Sequence, residues 1–175
     1  MTFRLAFVTG ATPDKWARTW RERQREPLEL VPVTQDEQER ALRAGDVDMA
    51  LVRQPVDRDG LHLIPLYEEV AVAVMNVEDE LTLLDEVTTA DLADSHQAWD
   101  GVSDADVVAT VGAGTGVWVV PMSIARLHHR KDVTYRPVTD VEPTRVGLAW
   151  LVDHDDERVQ TFIGIVRGRT ARSSR

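Results

Sequence analysis

Arg53 is the residue whose type and position most directly offer chemistry. It follows Val47, Met49, Ala50, Leu51 and Val52, an apolar run broken only by Asp48, and such a run fits a strand covered on both faces of a parallel sheet. A charged residue at the carboxyl end of that strand stands where open α/β sheets bind ligands. A guanidinium there would present a two-pronged donor to a carboxylate. The other reading is a solvated arginine that begins a loop stiffened by Pro55.

Several other groups carry reactive side chains at unproductive spacings. Gly112, Gly114 and Gly116 lack the lysine of a phosphate loop and precede a strand, so they read as a tight return of the chain. His128 and His129 are adjacent and would not share a helix face, and Asp132 completes no metal-binding spacing. Asp153, His154, Asp155 and Asp156 read as a helix start with acids against the positive end of the dipole. Ser123 has no base at a helical spacing, and Glu68 and Glu69 alternate sides of an extended chain. No catalytic residue, metal ligand or cofactor is expected.

The elements that would position Arg53 are legible on both sides of it. Phe3 to Thr9 reads as a first strand, Gly10-Ala11-Thr12-Pro13 as a turn, and Thr12 as the N-cap of a helix with Trp16 and Trp20 on one stripe. Leu28 to Val33 reads as the second strand. Thr34-Gln35-Asp36-Glu37 matches a capping box for a helix that ends at Gly45, a residue suited to a left-handed cap. This β-α-β-α-β order predicts a parallel sheet with right-handed crossovers.

Leu61 to Leu66 and Val70 to Val74 are close enough to suggest that the chain leaves one sheet for another there, at a hinge. Thr88-Thr89-Ala90-Asp91 reads as the cap of a single helical turn. A helix over Ser103 to Val111 would turn Val107, Val108 and Val111 inward, and strands are expected at Val117 to Val120, Val133 to Val138 and Arg145 to Leu151. Pro121 would open a helix through Leu127, and a last helix would run from Asp155 to about Arg167.

The 175 residues suffice for one compact domain or two small lobes. With 43% hydrophobic and 29% charged residues the composition is that of a globular protein, and no stretch approaches the roughly 20 apolar residues of a membrane helix. A net charge of −10 argues against a broad nucleic-acid surface. The one basic patch is the tail with Arg167, Arg169, Arg172 and Arg175. Without cysteine, disulfide and thiolate chemistry are excluded, and a cytoplasmic location is the default expectation.

The ordered phrases FRLAFVTGATPDKW, LELVPV, LRAGDVDMALVR, LHLIPLYEEVAVAV, TTADLAD, VGAGTGVWVVP and RVGLAWLVD together resemble the effector-binding domain of LysR-type transcriptional regulators. The resemblance implies a bilobal α/β fold like that of type 2 periplasmic binding proteins, with lobe I over 1–68 and 139–175 and lobe II over 69–138. It departs from the family in two ways. Met1 stands directly before the first strand, with no DNA-binding head ahead of it, and lobe II is shortened between Trp99 and Asp104.

The resemblance further implies a small-molecule effector, a carboxylate or aromatic acid, held between the lobes. It would touch Thr9, Gly10 and Thr12 at the first helix start, Thr34 at the second, and Arg53. Gln97 and Trp99 are the second-lobe positions, because they would follow that lobe's next short strand. For the threonines helix capping is at least as good a reading, and for Trp99 core packing is the preferred one.

Two functions follow. One is a regulatory domain, a homodimer like related effector domains, that modulates transcription through its ligand without binding nucleic acid or membrane itself. The other is an interaction and dimerisation module with a degenerate pocket, acting on a DNA-binding partner protein. An enzyme would need a convergent acid and base that the sequence does not supply.

Overall fold

A computed structural model describes residues 1–169. Arg172 and Arg175 of the basic tail lie outside the described residues. The chain divides into two compact units, Met1–Tyr67 with Arg145–Arg175, and Glu68–Thr144. Among the described residues no helix is long and apolar enough to cross a membrane.

The first unit is built on a five-stranded sheet. It comprises β1 (Phe3–Val8), β2 (Leu28–Val33), β3 (Met49–Arg53), β4 (Leu61–Glu69) and β8 (Thr144–Leu151), in the order β2-β1-β3-β8-β4. β1 pairs in parallel with both β2 and β3, with Val8 opposite Val33 and Phe7 opposite Leu51. The crossovers are α1 (Asp14–Arg23) and α2 (Gln38–Arg43). β8 joins β3 antiparallel, with Arg53 opposite Val146.

All five residues of β3 are buried, as expected of a strand covered on both faces. The strand starts after Asp48 because that residue is engaged with β1. Its carboxylate accepts the Arg4 amide at 2.7 Å, and its own amide donates to the Arg4 carbonyl. On one face, Phe3 stacks on Trp20 with centroids 4.8 Å apart, and both meet Phe162 of α5 (Glu157–Val166). Asp156 caps α5 by accepting the amides of Arg158 and Val159.

Gly45 takes the left-handed conformation expected of it, at φ +74. Its amide donates to Leu42, and the Asp46 amide donates to Ala41, so two of the last carbonyls of α2 are satisfied.

The second unit carries a three-stranded antiparallel sheet, β6-β5-β7, made of β5 (Ala71–Asn76), β6 (Trp118–Pro121) and β7 (Val133–Pro137). The change of sheet expected between the fourth and fifth strands is therefore present. α3 (Asp104–Gly112) turns Val107, Val108 and Val111 into the core, and Ser103 caps it by accepting the Asp106 amide. α4 (Met122–Leu127) follows Pro121.

The expected helical turn at Thr88–Asp91 is instead a run of turns, in which the Asp91 carboxylate accepts the Thr88 amide and hydroxyl. Thr89 is turned away from that cap and bonds Asp140. The Thr89 hydroxyl and then its amide hold the Asp140 carboxyl below the usual carboxylate value, against a small opposing effect of burial.

A carboxyl with a depressed folded-state pKa adds stability that is fully present above the unfolded value and is lost as pH falls through the folded value. Thr89→Val is therefore expected to move the Asp140 titration upward. Carboxyl chemical shifts followed against pH would check this, and an unchanged midpoint would remove Thr89 as the cause.

Candidate functional site

The carboxyl ends of β1, β2 and β3 lie side by side, and most of the expected first-lobe residues leave the sheet there. Thr9 and Thr34 are the residues after the paired Val8 and Val33, and both the Thr9 amide and its hydroxyl donate to the Val33 carbonyl, at 3.1 and 3.3 Å. Arg53 is two residues beyond Leu51 just as Thr9 is two beyond Phe7, so Arg53 and Thr9 are level on adjacent strands. Gly10, at φ +93, allows the turn closed by the Ala11 amide on the Val8 carbonyl.

Arg53 is buried, with 3% of its surface exposed. Its backbone is fixed by a side chain that sequence reading passed over. Gln38, itself 2% exposed, donates its amide to the Arg53 carbonyl at 2.8 Å and accepts the Arg53 N–H at 2.9 Å. This two-bond clamp ties the first residue of α2 to the last residue of β3. A buried glutamine whose donor and acceptor both meet one backbone unit fixes orientation as well as distance. In the sequence Gln38 looks like any helix residue, and only the strand register reveals its partner.

Both expected caps are displaced. Thr12 is exposed and does not cap α1, since Pro13 holds the N-cap position and accepts the Ala17 amide. The tight turn after β1 uses the residues in between. Thr34 likewise does not form the capping box. Its carbonyl accepts the Glu37 amide in a turn, the helix starts at Gln38, and the Glu37 carboxylate turns forward onto Arg40 instead of reaching back. That carboxylate, with Asp46, raises the Arg40 pKa above its ordinary value.

In the second unit the strand expected directly before Gln97 and Trp99 is absent, because residues 89–94 form turns and residues 96–99 have no regular structure. Gln97 is exposed and donates to the Leu92 carbonyl at 2.9 Å. Trp99 is half-buried against the Val72–Val108–Trp118 core, and its indole N–H donates to the Val117 carbonyl at 2.8 Å. The His96 ring meets its edge at 4.7 Å. The glycine run packs under this segment: Gly116 has φ +74, and the Val117 amide donates to the His96 carbonyl.

Ser123 and Glu69, unrelated in sequence, also meet, with the Ser123 hydroxyl donating to the Glu69 carboxylate at 2.7 Å. Among the described residues no group of three or more acidic, histidine or cysteine side chains could hold a metal ion.

A parallel β-α-β-α-β half with a basic residue at its strand ends, interrupted in sequence by a second α/β unit, defines a class of two-part α/β domains. The comparisons give that class a family. The description "LysR substrate binding domain" matches residues 7–105, and the chain belongs to that family.

Curated relatives include the Hca operon transcriptional activator HcaR of Escherichia coli, 27% identical over 82% of this chain and 58% of that protein. Another is the regulator AlsR of Bacillus subtilis, 23% identical over 79% and 55%. The chain thus spans a little over half the length of these relatives. Among solved structures, the BenM effector-binding domain with its effector benzoate superposes at a TM-score of 0.80, with 16% identity, 95% of this chain and 90% of that one. The OxyR regulatory domain of Pseudomonas aeruginosa superposes at 0.76, with 18% identity and 95% of each chain. The type 2 periplasmic-binding-protein-like fold expected from the resemblance is the fold observed.

Proposed function

We propose that this chain is a cytoplasmic, effector-responsive regulatory domain that binds a small carboxylate or aromatic acid at the carboxyl edge of β1, β2 and β3. The observation that carries the reading is Arg53, held by the Gln38 clamp level with Thr9 at that edge. A guanidinium is charged at every physiological pH and offers a planar fork to a carboxylate, while the Thr9, Gly10 and Thr34 segment supplies short polar groups beside it. HcaR and AlsR are transcriptional regulators and the BenM domain takes benzoate, which agrees with a role in transcription and with an acid of that size. Such a ligand acts by its difference in affinity between two conformations or association states of the protein. A homodimer is the proposed assembly, and any DNA contact is proposed to come through a DNA-binding segment or partner protein outside the described residues.

The test is a thermal-shift panel of small carboxylates and aromatic acids on wild type and Arg53→Ala. An acid present at about 100 times its Kd stabilises by roughly 2.7 kcal/mol, which is several degrees for a domain of this size. The expected result is a hit on wild type that disappears in Arg53→Ala. A flat panel on both folded proteins would replace this reading with the interaction and dimerisation module.

A further inference from the structure

We infer that the second unit carries a self-association surface, in which a basic groove beside α4 takes the acidic, leucine-tipped segment 77–86 of a second copy of this chain. The groove is a cavity of about 450 Å³ whose lining includes Val74, Ala125, Arg126, His129, Val133 and Tyr135. Val74, Ala125 and Val133 are buried and make its floor, whereas Arg126 and His129 are exposed at its rim. The chain there runs Arg126-Leu127-His128-His129-Arg130-Lys131. Arg130 is committed to Asp132 through bonds of 2.9 and 3.0 Å, and His128 lies 3.8 Å from Asp104. Arg126 and Lys131 form no ion pair among the described residues, and Arg126 touches only the Tyr135 hydroxyl, at 3.5 Å. In a chain of net charge −10, an unneutralised basic rim around an apolar floor suits an acidic partner with an apolar anchor.

This chain displays such a segment itself. Residues 77–86 read VEDELTLLDE, and Glu78, Glu80, Asp85 and Glu86 are exposed and form no ion pair among the described residues. Leu83, in the 3-10 turn Glu80–Leu83, is 86% exposed, more than any large hydrophobic residue except Met1 among the described residues. The segment is held in place. Arg136 donates to the Leu84 and Thr82 carbonyls at 2.9 and 3.0 Å, and Asp79 caps the turn by accepting the Leu81 amide. A leucine presented on fixed backbone needs little further ordering when it is captured. It does not fill the groove of its own copy. Leu81 packs with Ala73 and Met75 on one face of the second sheet, while the groove lies on the face of Val72 and Val74. Opposite faces make the contact heterologous, with groove and segment supplied by different copies. In it Leu83 sits on the apolar floor and the carboxylates around it meet Arg126, His129 and Lys131.

The contact uses neither Arg53 nor a ligand, so it stands or falls separately from the effector site and from a homodimer made elsewhere. Analytical ultracentrifugation over a range of protein concentrations tests it with two surface variants. One is Arg126→Glu/Lys131→Glu in the groove, and the other is Glu80→Gln/Leu83→Ser in the segment. One anchor within a ring of rim charges belongs to the weak class of interfaces, with a Kd of roughly 10 µM to 1 mM. Wild type is expected to associate as concentration rises, and less at high salt, while each variant associates about tenfold more weakly. An equal mixture of the two variants is the deciding sample, because each keeps the half that the other lacks. A one-to-one complex that neither variant forms alone is the expected result. The inference is overturned by wild type whose assembly does not change up to about 1 mM. Association that both folded variants keep, or a mixture that associates no more than either variant alone, overturns it as well.

Discussion

Trp20→Ala is expected to destabilise the protein by roughly 3–5 kcal/mol, the range for removing a buried aromatic side chain. Trp20 is 1% exposed, and it lies nearly parallel to Phe3, at 14° and 4.8 Å, with Phe162 6.2 Å away. Its indole N–H also satisfies the Glu26 carbonyl. Around this layer, Arg158 sits 5.6 Å above the Phe3 ring and pairs with Glu26, Asp48 and Asp156, so the cavity would open beneath a charged cluster. Domains have about 5–15 kcal/mol in total, and the alanine variant should therefore be marginal. Trp20→Phe keeps most of the packing and drops the hydrogen bond, so its loss should be about 1–2 kcal/mol. Urea unfolding monitored by circular dichroism would measure both. A loss below about 1 kcal/mol in Trp20→Ala would show that the aromatic layer is not what holds α1 and α5 to the sheet.

Gln38→Ala is expected to cost roughly 2–4 kcal/mol, because it leaves both the N–H and the carbonyl of buried Arg53 without their present partner. Gln38→Glu keeps an acceptor for the Arg53 amide but loses the donor to its carbonyl, so it should fall between wild type and alanine. The same substitution should weaken ligand binding although Gln38 is not proposed to touch the ligand, since it sets where the Arg53 backbone lies. Melting temperatures and acid titrations on the two variants would show this pairing of effects. Full affinity in a destabilised Gln38→Ala would separate the clamp from the site.

The parallel core of the first unit was readable in advance because each strand and crossover there is local. Apolar runs, glycine stops and short connections give three parallel strands without knowledge of distant partners. What periodicity could not show is that β8, nearly a hundred residues away in sequence, pairs antiparallel with β3. Pairing over such distance depends on burial of both faces, which many strands share. The caps failed for a different reason. Thr12 and Thr34 match local rules, but the turn after β1 and the Gln38 clamp start both helices later.

The place of Arg53 at the carboxyl end of a buried strand was legible from strand polarity alone, and its clamp by Gln38 was not, since a glutamine in a helix usually faces water. The segment before Gln97 and Trp99 holds turns in place of the expected helical turn and short strand, because its hydrogen bonds go to side chains such as Asp91 and Asp140, which no local pattern records.

The most direct measurement is amide chemical-shift mapping of the protein with benzoate. The largest perturbations are expected at Thr9, Gly10, Thr34 and Arg53, and they should vanish when Arg53→Ala is added. Perturbations that avoid the ends of β1, β2 and β3, or that survive the loss of Arg53, would contradict an effector site built on that edge.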